Sequence, residues 1–184
     1  MPAQTIAKGI FSHTERDYAS FAGTIISAKN CPEFDFTGLK VALIGANAHS
    51  VKHLAQLVQQ AEFVKVFQQQ PHFVLPEQSK QPHAFFLQPQ RLSALPLKGF
   101  RLQHWMAQRY LKQQIKDKWI QRQLLPQHAN EHTPIYYGDL YYCALNRANC
   151  KLITWPIVKL HAQAVQSMEG ILHMVDVIVR CDDN

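Results

Sequence analysis

A glycine turn between a buried strand and a helix is the first place where this sequence could carry chemistry. In residues 38–51, Gly45 is followed by Asn47 and Ser50 at the spacing where a dinucleotide-binding turn has its second and third glycines. Gly45 can still make the tight turn, and Ser50 is small enough for the helix to pack on the strand. The Asn47 side chain projects where a pyrophosphate would approach, although Asn tolerates a left-handed or bridge backbone. This pattern therefore supports the fold of a dinucleotide-binding unit more strongly than it supports binding of the cofactor.

The same helix start offers two other kinds of site. Its dipole and free N–H groups near Asn47 and Ser50 could attract an anion. His49 and His53 have the i, i+4 spacing of two metal ligands, but no Cys or carboxylate partner accompanies them. We therefore interpret them as an exposed or helix-capping pair and predict no metal. Local spacing predicts no catalytic residue, because no nucleophile–base or paired-carboxylate arrangement is present.

The elements around this turn read as a βαβ unit. The apolar run at residues 41–45 predicts a buried parallel strand. Apolar residues then recur at helical spacing from Val51 to Ala61, and residues 63–67 predict a second strand.

The C-terminal third is predicted to be strands. The segments 151–154, 157–165 and 171–179 have strand composition, and a turn at 167–170 would make the last two a hairpin. Residues 175–179 are apolar enough to enter the central sheet.

Residues 77–133 form a Pro- and Gln-rich insertion that becomes helical. Prolines make its first half a poor helix, whereas residues 100–125 predict one helix with a basic face. That face carries Arg101, Arg109, Lys112, Lys116, Lys118 and Arg122. A nucleic-acid or membrane-surface contact is one interpretation. We favour a solvated face and no nucleic-acid partner, because no aromatic-interleaved patch accompanies the charge.

Composition sets broader limits. A chain of 184 residues with 47% hydrophobic content can bury a core as a single domain, residues 1–184. The net charge of +6 permits anionic partners without requiring them. No apolar run is long enough to span a membrane and residues 1–11 lack a signal-peptide core, so we predict a cytoplasmic protein. The four cysteines form no CxxC pair, which favours reduced thiols.

A family resemblance begins at residues 21–38. Phe21, Gly23 and Pro32 match in register the FxGxxxHxxxW fingerprint, followed by Pro or Asp, of the class B flavoprotein monooxygenases. This family includes the Baeyer–Villiger enzymes and the flavin-containing monooxygenases. Ser27 and Cys31 stand where it has His and Trp.

Three later segments resemble the same family. Residues 66–76 are similar to its VFQRTPxWVxP segment, with Gln69 in place of the arginine that binds the 2′-phosphate of NADPH. Residues 135–154 are similar to its DYYPALNRPNVELVT segment. Just before this segment, Thr133 and Pro134 occupy the places of two family residues. One is a lysine that helps to hold NADPH, and the other is an arginine that steadies the flavin peroxide. Residues 174–184 are similar to its ADVIVxATGF strand and turn.

The resemblance implies an α/β fold: a Rossmann-like nucleotide-binding-type domain with a helical insertion and a small β-meander. Residues 21–76 and 134–184 would be the two halves of the NADPH-domain-type fold, and 77–133 the insertion. The family's NADPH positions are Gly45, Asn47, Ser50, Gln69 and Thr133, mostly substituted here. NADP(H) is therefore a possible ligand with little support. FAD is not expected, because the glycines never form a GxG.

Three functions follow as hypotheses. The chain could be an FAD-domain-lacking relative of the monooxygenase NADPH domain that is not catalytic by itself. It could be a protein-interaction or anion/ligand-binding module that reuses the fold, or a subunit that completes a flavin monooxygenase with a separate FAD-binding chain. The face that would pack on an FAD domain predicts a homo-oligomer or a protein partner.

Overall fold

The computed structural model describes residues 18–77, 99–127, 129–130 and 132–181, and for residues 99 and 100 the backbone alone. The prolines predicted to interrupt the insertion lie outside the described residues. Within the described ranges the chain forms one parallel sheet, a two-stranded parallel sheet and a three-stranded antiparallel sheet, together with helices. The predicted α/β fold class is confirmed.

Five parallel strands make the central sheet, in the spatial order β1-β10-β2-β3-β6. They are β1 (Thr24–Ser27), β2 (Lys40–Ile44), β3 (Phe63–Phe67), β6 (Cys150–Ile153) and β10 (Val177–Arg180). In β2 four of the five residues are buried, as expected for a strand covered on both faces. The βαβ unit predicted around Gly45 is thus present.

Helices cover one face of this sheet. The helix α1 (Ala48–Gln60) buries Val51, Leu54 and Leu57 in a core shared with Val64 and Val66 of β3. The other helices are α2 (Gly99–Gln114), α3 (Lys118–Leu124), α4 (Tyr141–Leu145) and a 3-10 helix (Ala28–Glu33). None of the helices within the described ranges is long and apolar enough to cross a membrane.

The antiparallel meander covers the opposite face of the central sheet. It consists of β7 (Ile157–His161), β8 (Ala164–Ser167) and β9 (Leu172–Met174). Its Leu160 and Val165 share a second core with Phe67 and Ile178 of the central sheet. Two further strands, β4 (Phe73–Leu75) and β5 (Ile135–Tyr137), pair in parallel beside α2.

The predicted strand boundaries of the C-terminal third need correction. The single strand predicted at 157–165 is wrong, because the chain turns between His161 and Ala164 and returns as β8. The turn at 167–170 joins β8 to β9, where the Gly170 N–H donates to the Ser167 carbonyl at 2.9 Å. The predicted hairpin therefore ends at Met174, and the chain from Val177 onwards enters the central sheet as predicted.

The single helix predicted over 100–125 is also wrong. The chain leaves helical geometry after Gln114 and restarts at Lys118. Asp117 has an extended backbone, and its Oδ1 accepts hydrogen bonds from the N–H groups of Trp119 and Ile120, at 2.7 and 3.4 Å. An aspartate at this position satisfies N–H groups that a new helix leaves unpaired. Asp117 is therefore a cap, and not an acid within a continuous helix.

The fingerprint residues Phe21 and Gly23 have packing roles. Phe21 is buried in the core beneath the meander. A Cβ atom on Gly23 would overlap the carbonyl oxygen of Asp176, whose side chain accepts the Lys40 N–H at 2.8 Å. Gly23 thus allows β1, β2 and β10 to meet at their amino ends. Strand β1, which follows it, was not predicted from the sequence.

Candidate functional site

Gly45 and Gln69 follow the carboxyl ends of β2 and β3, which are neighbouring strands of the central sheet. Hydrogen bonds fix their relative positions: the Gly45 N–H donates to the Phe67 carbonyl at 2.9 Å, and the Gln68 N–H to the Ile153 carbonyl at 2.9 Å. The carboxyl edge is where open parallel sheets bind ligands. Gly45 has a φ of +87°, so the glycine makes the left-handed turn that the pattern predicts.

Asn47 and Ser50 form a reciprocal cap on α1. Asn47 Oδ1 accepts from the N–H groups of His49 and Ser50 at 3.0 and 2.9 Å, and Ser50 Oγ accepts the Asn47 N–H at 2.8 Å. The backbone of Asn47 is extended (φ −143°, ψ −177°), so the left-handed or bridge conformation considered for it is wrong. This arrangement is a capping box.

The cap occupies the place that an anion would need. Asn47 and Ser50 are 6% and 1% exposed, and between them they bind the N–H groups of Asn47, His49 and Ser50. A helix amino terminus binds a phosphate through such N–H groups. The expectation that these groups are free is therefore wrong for these three residues.

A second group of predicted residues lines a pocket of about 860 Å³. Gln69, Thr133 and Pro134 all face it, together with Trp119 and Arg122 from α3. Gly45, Asn47 and Ser50 do not line it. The five predicted cofactor positions are thus divided between the helix start and this pocket.

Polar and rigid residues shape the pocket. The Thr133 N–H donates to the Asn130 carbonyl at 3.0 Å, and Thr133 Oγ1 accepts the Asn130 N–H at 2.9 Å, which closes one wall as a tight turn. Prolines at 71, 126 and 134 stiffen the rest of the lining. A cavity of this volume is of the size that small ligands use, and much of its lining is polar.

Arg122 was interpreted from the sequence as part of a solvated basic face. The structure places its side chain in the lining, and it makes no ion pair with any residue in the described part of the chain. Trp119, three residues earlier on the same helix, is 59% exposed beside it. The i, i+3 spacing of Trp119 and Arg122 is the signal that could have indicated a shared face.

A buried network supports the wall behind Gln69. Tyr141 Oη donates to Gln68 Oε1 at 2.7 Å, and Gln68 Nε2 lies 3.0 Å from His72 Nδ1. Because the amide donates, the His72 Nδ1 atom accepts and the ring is neutral. Burial lowers the pKa of His72 to about 4, outweighing a hydrogen bond to the Gln70 backbone that raises it. Burial likewise raises the pKa of Tyr141 well above its usual value.

This network also holds the adjacent tyrosines Tyr141 and Tyr142 inside the domain. Tyr141 and Tyr142 are both buried, with ring centroids 5.5 Å apart, while Tyr136 packs edge-on against His72. These tyrosines pack in the domain, and Tyr141 and Tyr142 offer no exposed surface for stacking bases. Among the residues with described positions, no group of three or more metal-ligand side chains occurs.

Comparison with known proteins places this geometry in context. No family model matches the chain. An FAD-binding monooxygenase of Aspergillus niger is 25% identical over 160 residues, covering 73% of this chain and 26% of the relative. A steroid monooxygenase bound to NADP superposes with a TM-score of 0.69 at 20% identity, over 89% of this chain and 42% of that one.

Cyclohexanone monooxygenases superpose equally well. One with bound cyclohexanone has a TM-score of 0.71 at 18% identity, over 91% of this chain and 44% of that one. Another, from Rhodococcus sp. Phi1 and bound to NADP+, has a TM-score of 0.69 at 19% identity, over 89% of this chain and 42% of that one. At these identities the structures establish a shared fold.

The fold and these similarities indicate the class of protein that the chain resembles. The chain has the fold of one part of the Baeyer–Villiger-type monooxygenases, and its resemblance to flavin-dependent monooxygenases is confirmed. It spans about a quarter of the length of the curated relative and less than half of each solved enzyme.

Proposed function

We propose that this chain is a relative of the NADPH-binding part of flavin-dependent, Baeyer–Villiger-type monooxygenases that by itself does not catalyse oxygenation. The observation that carries the proposal is the cap formed by Asn47 and Ser50. Their side chains use the N–H groups that a dinucleotide pyrophosphate would contact, and both are buried. The Rossmann-like fold is retained, while its dinucleotide turn is closed by its own side chains.

Three substitutions point the same way. Gln69 offers a neutral amide where the resemblance expects an arginine on the 2′-phosphate, and a neutral amide is a much weaker phosphate ligand than a guanidinium. Thr133 and Pro134 stand in the places of a charged pair. Two of the similar solved structures hold NADP or NADP+. Their ligand is a hypothesis for this chain that must be tested against these changes.

The test is calorimetric titration with NADPH and NADP+, with FAD as a third ligand. We expect no heat of binding at micromolar concentrations for the unchanged chain. A matched variant, Asn47→Gly with Ser50→Gly and Gln69→Arg, restores the glycine spacing and the charged fork, and should gain affinity for NADPH over NADH. Micromolar binding of NADPH to the unchanged chain would overturn the proposal.

The pocket beside Gln69 supports a second function, as a ligand-binding module. Arg122, which makes no ion pair with a described residue, lines a cavity of about 860 Å³, and Trp119 presents an exposed indole to the same cavity. This pair suits a small ligand that joins an aromatic ring to a carboxylate or phosphate. We also propose that the face that would pack on an FAD domain binds a protein partner or a second copy of the chain.

Trp119 fluorescence tests the ligand-binding module. Benzoate and inorganic phosphate are the probes, in a background with Trp105→Phe and Trp155→Phe. Saturable quenching by benzoate that Arg122→Gln abolishes and Arg109→Gln preserves would support this function. Quenching that both variants leave unchanged would contradict it.

Completion by a separate FAD-binding chain has less support. Such a partner could supply flavin, but it would not replace the side chains at Gln69, Thr133 and Pro134. A cytoplasmic location remains a prediction. An NADPH-oxidation assay of the chain mixed with FAD tests for oxidoreductase activity, and steady consumption of NADPH would favour an enzyme over the non-catalytic relative that we propose.

A further inference from the structure

The meander carries most of the exposed apolar side chains in the described part of the chain. Six of the nine large hydrophobic residues that are exposed there lie between residues 155 and 174. They are Trp155, Val158, Met168, Ile171, Leu172 and Met174. Scattered exposed hydrophobic residues are ordinary, but a concentration on one small sheet marks an interaction surface.

A groove runs along one border of this surface. It has a volume of about 330 Å³ and lies between β9 and the amino ends of β2 and β3. Leu172 and Met174, which are 54% and 50% exposed, form one wall, and Phe63 contributes to the other. Because β9 is the edge strand of the meander, one side of its backbone lies beyond the last strand pairing of that sheet.

The groove is positively charged. Its lining includes Lys40 and Lys65, and Lys65 Nζ donates to the Met174 carbonyl at 3.4 Å. Burial, followed by the nearby charges of Lys151 and Lys40, lowers the pKa of Lys65. Glu62 is the one acid among the described lining residues, and its Oε1 atom lies 3.7 Å from Lys40 Nζ. Lys151 does not line the groove, but it is the partner of Lys65 across β3 and β6, so it adds positive charge beside it. Neither lysine makes an ion pair with a described carboxylate.

We propose that this groove binds an acidic, apolar segment of another protein, extended along β9. Apolar side chains of the segment would cover Leu172 and Met174, and its carboxylates would face Lys65 and Lys151. Alternating side chains of an added strand satisfy both demands, since successive residues point to opposite faces.

Charge argues against a second copy of this chain as the occupant. A two-fold contact through this groove would bring Lys40, Lys65 and Lys151 of one copy against the same lysines of the other. Like charges brought together in this way oppose association. The net charge of +6 adds to this repulsion.

Amide chemical shifts of the isotope-labelled chain provide the test. The probe is a synthetic peptide of alternating leucine and glutamate, and its control has lysine in place of glutamate. We expect the acidic peptide to shift the amides of residues 172–175 and 62–65, and the basic peptide to leave them unchanged. Equal effects of both peptides, or no effect of either, would overturn the proposal.

Paired variants separate the apolar and charged contributions. Leu172→Ser with Met174→Ser, and separately Lys65→Gln with Lys151→Gln, should each weaken binding of the acidic peptide by about tenfold or more. The exposed residues Val158 and Lys116 lie outside the groove, so Val158→Ser and Lys116→Gln should leave the affinity unchanged. If the control variants weaken binding as much as the groove variants do, the groove is not the site.

Two further measurements address the other occupants. Vesicles of phosphatidylserine that sediment with the chain, while the acidic peptide causes no shifts, would replace the proposal with a membrane contact. Sedimentation velocity that shows a dimer lost on Leu172→Ser with Met174→Ser would replace it with self-association. A monomeric chain that does not sediment with the vesicles and binds the acidic peptide would support the proposal.

Discussion

The side chains of Asn47 and Ser50 each accept a hydrogen bond from the backbone N–H of the other residue, at 2.8 and 2.9 Å. The pair closes the amino terminus of α1 at the edge of the sheet where a ligand would bind. A cap of this kind stabilises the helix by satisfying N–H groups that have no partner within it. The same two residues therefore support the fold and oppose binding of an anion.

Removing this cap should lower stability. Asn47→Ala deletes the acceptor for two N–H groups, and we expect the free energy of unfolding to fall by about 1 kcal/mol. His49→Ala, an exposed change on the same turn, should have a smaller effect. Urea denaturation of both variants measures the difference. Equal stability of Asn47→Ala and the unchanged chain would show that the cap contributes nothing.

Stability should also depend on His72. Its pKa is about 4 in the folded protein and about 6.5 when exposed, so the unfolded chain binds the proton more readily. The contribution of His72 to the free energy of unfolding is therefore complete above pH 6.5. Up to about 3 kcal/mol of it is lost as the pH falls from 6.5 to 4.

A variant separates this effect from the other histidines. Burial also lowers the pKa values of His53, His104 and His173, so they contribute in the same direction. His72→Gln should flatten the pH dependence of the unfolding free energy between pH 6.5 and 4. If His72→Gln and the unchanged chain give parallel curves, His72 does not carry the effect.

A methyl group at Gly23 should disturb the sheet. Its Cβ would overlap the Asp176 carbonyl oxygen and the Phe21 ring, so Gly23→Ala should cost about 1–3 kcal/mol. Gly38→Ala is the control: its φ of +72° disfavours alanine, but apart from its chain neighbours no described residue has an atom within 4 Å of the added carbon. Its expected cost is about 1 kcal/mol. Thermal unfolding that ranks Gly38→Ala as the more damaging change would contradict this packing role.

The cysteines should differ in reactivity with a thiol reagent. All four are free, with Cys143 exposed and Cys31 and Cys150 buried. Burial raises the pKa of Cys31 to about 11 and that of Cys150 to about 12, and the thiolate is the reactive form. We expect Cys143 to react first, and Cys31 and Cys150 to react after unfolding. Cys143→Ser should remove the fast phase, and its persistence would show that another thiol is accessible.

Local patterns in the sequence predicted the elements that depend on neighbouring residues. The apolar run of β2, the helical spacing of α1 and the glycine at position 45 each define their structure over a few positions, so they were predicted where they occur. The helix break at Asp117 was missed. The apolar spacing continues through that position, while the aspartate side chain favours a new helix start.

The candidate site was predicted in parts. Gln69 and Thr133 were identified by their places in family motifs, and they do line one pocket. Arg122 was assigned to a solvated face, because a basic helix pattern does not reveal which of its residues turns towards another segment. Its position follows from where α3 packs, which depends on residues far away in the chain.

The sequence by itself determined the parallel strands β2, β3, β6 and β10, the first long helix and the resemblance to flavin-dependent monooxygenases, because periodicity and motifs are read from adjacent residues. Tertiary structure alone decided that Arg122 lines the same pocket as Gln69, and that Tyr141 bonds Gln68 across 73 positions of the chain. The physical reason is that hydrogen-bond partners and burial depend on which distant segments pack together, and local spacing does not record that packing.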